Sequence, residues 1–273
     1  MKKRSNPSPG SDLFASPALD QPDIDAARIR AGVGGWTFAP WRGGVFYPVG
    51  LVQRRELEYA SRQLTSIEVN GTYYGAQKPA TYAKWRDETP QDFMFSAKAP
   101  KRIMESKALS KTGHQIEDFI GGIVELGDKL GPLVWQFDKG TRIDAAEFSA
   151  FVELLPAVNG ERKLRHVLDV RDPAFVNAEY LTLARAHGMA TVYTDADEHP
   201  SFADLTADFV YARLMRSRAA IDTGYPDTEL ELWCDRALQW AQGHDVADLP
   251  HLDSHPAPVR PRDVFMYFIS SAK

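Results

Sequence analysis

Eight short apolar runs, separated by longer stretches with apolar residues at three- and four-residue spacing, limit what this chain can fold into more than any other feature of it. The runs are Ile29 to Gly34, Ser66 to Asn70, Phe93 to Lys98, Leu133 to Phe137, His166 to Val170, Ala190 to Thr194, Phe209 to Leu214 and Val264 to Ile269. Between them, Val52 to Leu64, Thr81 to Glu88, Gln115 to Leu130, Ala145 to Leu155, Glu179 to His187 and Thr228 to Gln242 carry the helical period. Strands that alternate with helices build a parallel sheet, because each crossover returns the chain to the same edge. Eight such units favour a closed α/β barrel of the TIM type, (β/α)8, over an open doubly wound sheet.

Residues 1 to 27 are rich in Ser, Pro and Asp, with little apolar periodicity, and read as a tail that cannot repay its ordering entropy. Residues 28–273 are expected to form one barrel domain. The sequence stops at Lys273, directly after the eighth strand, so the barrel is expected to lack the closing eighth helix or to be capped another way. The Pro- and His-rich run from His244 to Arg262 reads as a loop.

A hydrophobic share of 44% and a charged share of 25% are those of a globular chain. The net charge of -5 opposes a surface built throughout to condense on nucleic acid or anionic membrane, so an anion site has to be local. Cys234 is the single cysteine. It rules out an intramolecular disulfide, fits a reducing cytoplasm and is expected to pack on a helix. No apolar run reaches the ~20 residues of a membrane span, and the N-terminus lacks the apolar stretch of a signal peptide. The expected location is cytoplasmic.

In such a barrel, side chains at the C-terminal ends of the strands converge on one face. Those positions are Trp36 and Trp41 after the first strand, Glu68, Asn70, Tyr73 and Tyr74 at the second, and Lys98, Lys101 and Arg102 at the third. Gln136 ends the fourth, Asp169 and Arg171 the fifth, Thr194, Asp195 and Asp197 the sixth, and Arg213, Arg216 and Arg218 the seventh. The two-residue strand period places Glu68 and Asn70 on one side, inward. A buried carboxylate is costly unless paired, and Lys98, Arg171 and Arg213 are the available partners, either as an ion-pair plug or as part of a ligand site.

The loop KAPKRIMESKALSK is basic in an acidic chain, which suits a carboxylate, a phosphate or a nucleic-acid backbone. Trp36, Phe38, Trp41, Phe46, Tyr47, Tyr73 and Tyr74 supply packing, with Trp36 and Tyr74 the best placed to stack on a ligand. The seven histidines show no metal-binding spacing; His251, Asp253 and His255 are the nearest approach to a ligand set. There is no Gly-x-Ser-x-Gly elbow, no Walker loop and no Gly-x-Gly-x-x-Gly after a strand.

Through GVGGWTFAPWRGGVFYPVGL, SIEVNGTYYGAQKPATYAKW and TPQDFMFSAKAPKRI the chain resembles the YecE-like family, also described as domain of unknown function 72. The resemblance covers about residues 29 to 269 and implies a (β/α)8 barrel with no generally assigned activity. It carries over Trp36, Trp41, Tyr47, Pro48, Glu68, Asn70, Tyr74, Trp85, Lys98, Arg171 and Arg213. Phe38 stands where the family usually has Tyr, Asp169 where it usually has Glu, and Met215-Arg216 where it usually has His-Gly.

The reading these residues favour is an enzyme acting on a small anionic, phosphate- or carboxylate-bearing and sugar-like substrate. Glu68 or Asp169 would be the general acid or base, with Trp36, Asn70, Tyr74, Lys98, Arg102, Gln136, Arg171, Asp195 and Arg213 as ligand contacts. A nucleic-acid-binding or -processing barrel and a non-catalytic ligand-binding scaffold are the alternatives. No cofactor is indicated.

Overall fold

The strand order of a computed structural model describing residues 27–140, 144–254 and 257–269 closes on itself. Eight parallel strands form the barrel: β1 (Ile29–Gly34), β2 (Ser66–Val69), β3 (Met94–Lys98), β4 (Leu130–Phe137), β5 (His166–Val170), β6 (Ala190–Thr194), β7 (Phe209–Leu214) and β8 (Asp263–Phe268). Each pairs with its neighbours in sequence, and β8 closes the ring on β1 with Ile29 opposite Val264 and Val33 opposite Phe268. The tail read from the sequence lies outside the described residues apart from Ala27, and so do the four residues after Ile269.

Among the described residues seven α-helices connect the strands: α1 (Glu56–Gln63), α2 (Pro79–Glu88), α3 (Lys101–Met104), α4 (Gly113–Ile123), α5 (Ala145–Leu154), α6 (Ala178–Ala186) and α7 (Asp227–Ala241). Their starts follow local chemistry. The Asp144 carboxylate accepts from Ala146 N to open α5, and Asn177 accepts from Tyr180 N to open α6. Phe148, Phe151 and Val152 then recur at helical spacing and pack with Trp135 and Phe137 from the outer face of β4. α7 packs back against β8 and β1.

Two differences from the sequence reading have plain causes. The helical period from Gln115 to Leu130 breaks at Ile123, where a tighter turn runs from Val124 to Lys129 around Gly127, whose φ is 58°. β4 therefore starts at Leu130, three residues before the expected Leu133, and contains Pro132. Its neighbour β3 shifts register between Phe95 and Ala97, and Ser96 Oγ donates to the Pro132 carbonyl at 2.8 Å. Cys234, expected in helix packing, is exposed on α7.

The wall is tightest between β1 and β2. A β-carbon on Gly32 would stand 2.0 Å from the Ser66 carbonyl oxygen, so only glycine lets these strands close the ring. Inside, Val134, Val167, Val192, Phe265, Tyr211 and Tyr267 fill the lower layers. Ser66 Oγ lies 2.6 Å from Tyr267 Oη, and Ser96 Oγ 2.7 Å from Tyr211 Oη, so the buried hydroxyls stand in pairs inside the wall.

Candidate functional site

Two residues beyond those hydroxyls, each strand carries the next inward side chain, and there the interior turns ionic. Ser66 leads to Glu68, Ser96 to Lys98, Val134 to Gln136, Val167 to Asp169 and Tyr211 to Arg213. Glu68 is fully buried and Arg213 is 2% exposed. The Arg213 guanidinium grips Glu68 with Nε on Oε2 (3.1 Å) and Nη2 on Oε1 (3.2 Å), while its Nη1 donates to Asp169 Oδ2 (3.2 Å). Tyr211 Oη donates to Glu68 Oε2 at 2.7 Å, and Arg171 Nη2 to Asp169 Oδ2 at 3.1 Å.

These contacts decide the protonation states. Burial alone would raise the Glu68 carboxyl, but Arg213, Lys98 and the Tyr211 hydroxyl outweigh it and hold the group below its ordinary value. Burial acts on Asp169 in the same sense and is outweighed by Arg171, Arg213 and Lys98. Both carboxylates stay ionised, with their oxygens engaged by donors.

Lys98, 7% exposed, is different. Among the described residues its Nζ has one hydrogen-bond acceptor, the neutral Gln136 Oε1 at 2.7 Å, and it lies 5.4 Å from the centre of the Tyr73 ring. An ammonium has three N–H donors, so two are left over. Burial, and then Arg213, push its pKa down to about 8 against the opposing pull of Glu68 and Asp169.

Above the lysine, three donors converge on one carboxylate. Asp138, exposed in the loop after β4, accepts from Tyr73 Oη and from Gln136 Nε2, both at 2.6 Å, and stands 3.6 Å from Arg171 Nη1. The β2 and β4 loops are thus bridged across the barrel mouth.

Of the residues predicted from sequence, Glu68, Tyr73, Lys98, Gln136, Asp169, Arg171 and Arg213 form this one network, and Trp36, Asn70, Tyr74, Arg102 and Asp195 do not join it. β2 ends at Val69, and Asn70 has φ −84° and ψ −23°, so the strand alternation that would have pointed it inward stops one residue short. Trp36 packs edge-on against Trp85 of α2, with ring centroids 5.1 Å apart, and its carbonyl accepts from Tyr47 Oη. Tyr74 is 82% exposed and touches Tyr73 edge-on, and Arg102 is exposed on α3.

Asp195 serves another place. It accepts from Met215 N at 2.5 Å and from Tyr225 Oη at 3.0 Å, on the wall of a separate cleft of about 560 Å³ between the β6 and β7 ends and α7. Arg216 and Arg218, which line the same cleft, are paired with Asp197 and Glu229. Tyr211, Ser96 and Asp138 are the site residues missed from sequence. The first two were signalled by polar residues two places before Arg213 and Lys98, whereas Asp138 lies beyond its strand, where periodicity says nothing.

No three His, Cys, Asp or Glu side chains among the described residues gather closely enough to hold a metal ion. Asp253 is paired with Arg185 at 2.6 Å, His251 Nδ1 meets the Leu249 carbonyl at 2.8 Å, and His255 lies outside the described residues. No helix among the described residues is long and apolar enough to cross a membrane.

Known proteins bear on this geometry. The UPF0759 protein YecE of Escherichia coli K12 is 28% identical over 119 residues, a stretch that is 44% of this chain and 42% of that protein. A crystal structure of a DUF72 family protein from Thermotoga maritima MSB8 superposes with a TM-score of 0.66 at 19% identity, covering 88% of this chain and 92% of the other. One from Enterococcus faecalis V583 gives 0.61 at 13% identity, covering 89% and 90%. At those identities the likeness shows the fold, an α/β barrel of the TIM type. The family model described as protein of unknown function DUF72 matches residues 30–259, most of the chain, and the chain therefore belongs to the DUF72 family.

Proposed function

We propose that the barrel mouth binds a small carboxylate- or phosphate-bearing ligand and performs proton-transfer chemistry on it, with Lys98 as the group that moves the proton. The carrying observation is the convergence of Tyr73 Oη, Gln136 Nε2 and Arg171 on the Asp138 carboxylate, next to a buried lysine with unspent donors. Donors gathered around an exposed carboxylate of the chain itself form a cradle that an incoming anion of the same chemistry would fit.

The proton-transfer role moves from Glu68 and Asp169 to Lys98 on this reading. A general base needs a free lone pair and a pKa near the working pH. The two carboxylates are depressed and have their oxygens taken by Arg213, Tyr211 and Arg171, so their part is to hold Arg213 in place. Lys98, near 8, exchanges its proton readily around neutral pH.

The test is a thermal-shift and calorimetric titration of the full chain with malonate and with inorganic phosphate. Specific binding raises the melting temperature through linkage, and Arg171→Met and Lys98→Met should each remove the shift. Equal shifts in all three proteins, or none in folded wild-type protein, would refute the reading.

A further inference from the structure

A lysine whose ammonium is wrapped by protein yet has only a neutral hydrogen-bond acceptor is poorly used as a structural ion. Of the two buried cations in the network, Arg213 is spent on Glu68 and Asp169 by three hydrogen bonds. Among the described residues Lys98 has no such contact, and its ammonium donates to Gln136 alone. The Tyr73 ring covers the amine on the loop side, and an amine screened from bulk water beside a second cation is the setting in which lysines act as nucleophiles.

From this arrangement, and resting on the anion-binding reading above, we infer that Lys98 condenses with the carbonyl group of an aldehyde or ketone whose anionic substituent takes the place of the Asp138 carboxylate. The Lys98 nitrogen forms a bond to the carbonyl carbon while the carbonyl electron pair moves to oxygen. The carbon–oxygen bond then breaks and oxygen departs as water. Taken from the ammonium, the amine gives up two of its three protons to that water and keeps one on the iminium nitrogen. Atoms therefore balance without an oxidant or reductant, and one positive charge is present before and after.

Conservation of that charge suits the surroundings. The iminium occupies the position of the ammonium, so Glu68 and Asp169 keep the cation that helps to hold them ionised, and neither buried carboxylate is left uncompensated. The pKa of about 8 supplies a substantial neutral fraction for the attack under mild conditions. Arg171 and Tyr73, released from Asp138, become donors for the anionic substituent.

The experiment is reductive trapping of the full-length wild-type chain. The protein is incubated near pH 8 with pyruvate, 2-oxoglutarate, dihydroxyacetone phosphate or glyceraldehyde 3-phosphate, each with cyanoborohydride, and the adducts are mapped by peptide mass spectrometry. At least one of these probes should label Lys98 about tenfold faster than the exposed Lys107, and malonate or inorganic phosphate should slow the labelling. Lys98→Arg, which keeps the charge and cannot form an imine, should lose the fast adduct.

Adducts on the exposed lysines with Lys98 unmodified by every probe would overturn the inference. If malonate and phosphate still bind in that case, the anion-binding reading survives its loss. Trapping of neutral acetone at Lys98 as fast as the anionic probes, with no binding of malonate or phosphate, would overturn the inference as stated and remove the anion-binding reading with it.

Discussion

Arg213 and Glu68, 145 residues apart, face each other across the inside of the barrel and share two hydrogen bonds of 3.1 and 3.2 Å, with both side chains almost wholly buried. Removing one member strands the other as an uncompensated charge. Glu68→Ala and Arg213→Met are each expected to cost about 3–5 kcal/mol in urea denaturation. The double variant should lose much less than the sum of the two, and a purely additive pair would show that they do not act together.

Lys98 should behave in the opposite way. Its folded value of about 8 lies below the ordinary 10.5, so the unfolded chain binds the proton more tightly and folding carries a penalty at neutral pH. The gap corresponds to about 3 kcal/mol, fully felt below pH 8 and relieved as pH rises towards 10.5. Lys98→Met should therefore raise the melting temperature at pH 7 while abolishing anion binding, and its advantage should shrink in alkaline buffer. A lower melting temperature at pH 7 would contradict this assignment.

Asp138 occupies the donors that the proposed ligand needs. Asp138→Ala removes that competitor while leaving Arg171, Tyr73 and Gln136 in place, so malonate and phosphate should bind about tenfold more tightly by calorimetry. Weaker binding would mean that Asp138 belongs to the ligand site as a contact and does not block it.

His166, at the start of β5, is buried, accepts from Trp135 Nε1 at 3.0 Å and lies 2.8 Å from the Pro156 carbonyl through its other nitrogen. Burial pushes its pKa down to about 4, against a weaker pull from the Pro156 carbonyl, so the unfolded chain takes up a proton first as pH falls from 6.5. Stability should drop by up to about 3 kcal/mol between pH 6.5 and 4. Chemical denaturation across that window should show a shallower slope for His166→Gln.

Much of this was legible in the sequence because strands have a period of two. Polar pairs such as Ser66 with Glu68, Ser96 with Lys98 and Tyr211 with Arg213 mark the inner face, and four strands were read to the residue. The reading failed where the period ends. Asn70 is already in a turn, Trp36 is turned onto α2 and Tyr74 into solvent, and Asp195 holds the β7 loop through Met215 and Tyr225. In such segments a side chain's direction follows from the path of the loop and from its packing partners, which no spacing rule supplies.

The ring of strands is also a hoop, and a hoop yields at its weakest joint. β5 and β6 are matched only at Val167–Ala190 and Leu168–Thr191, near their lower ends, so the upper part of that joint has no ladder. Asp169 of β5 is tied over this gap to Arg213 of β7. That ion pair works as a clasp on the joint, holding closed a seam that the backbone leaves unpaired above Leu168 and Thr191.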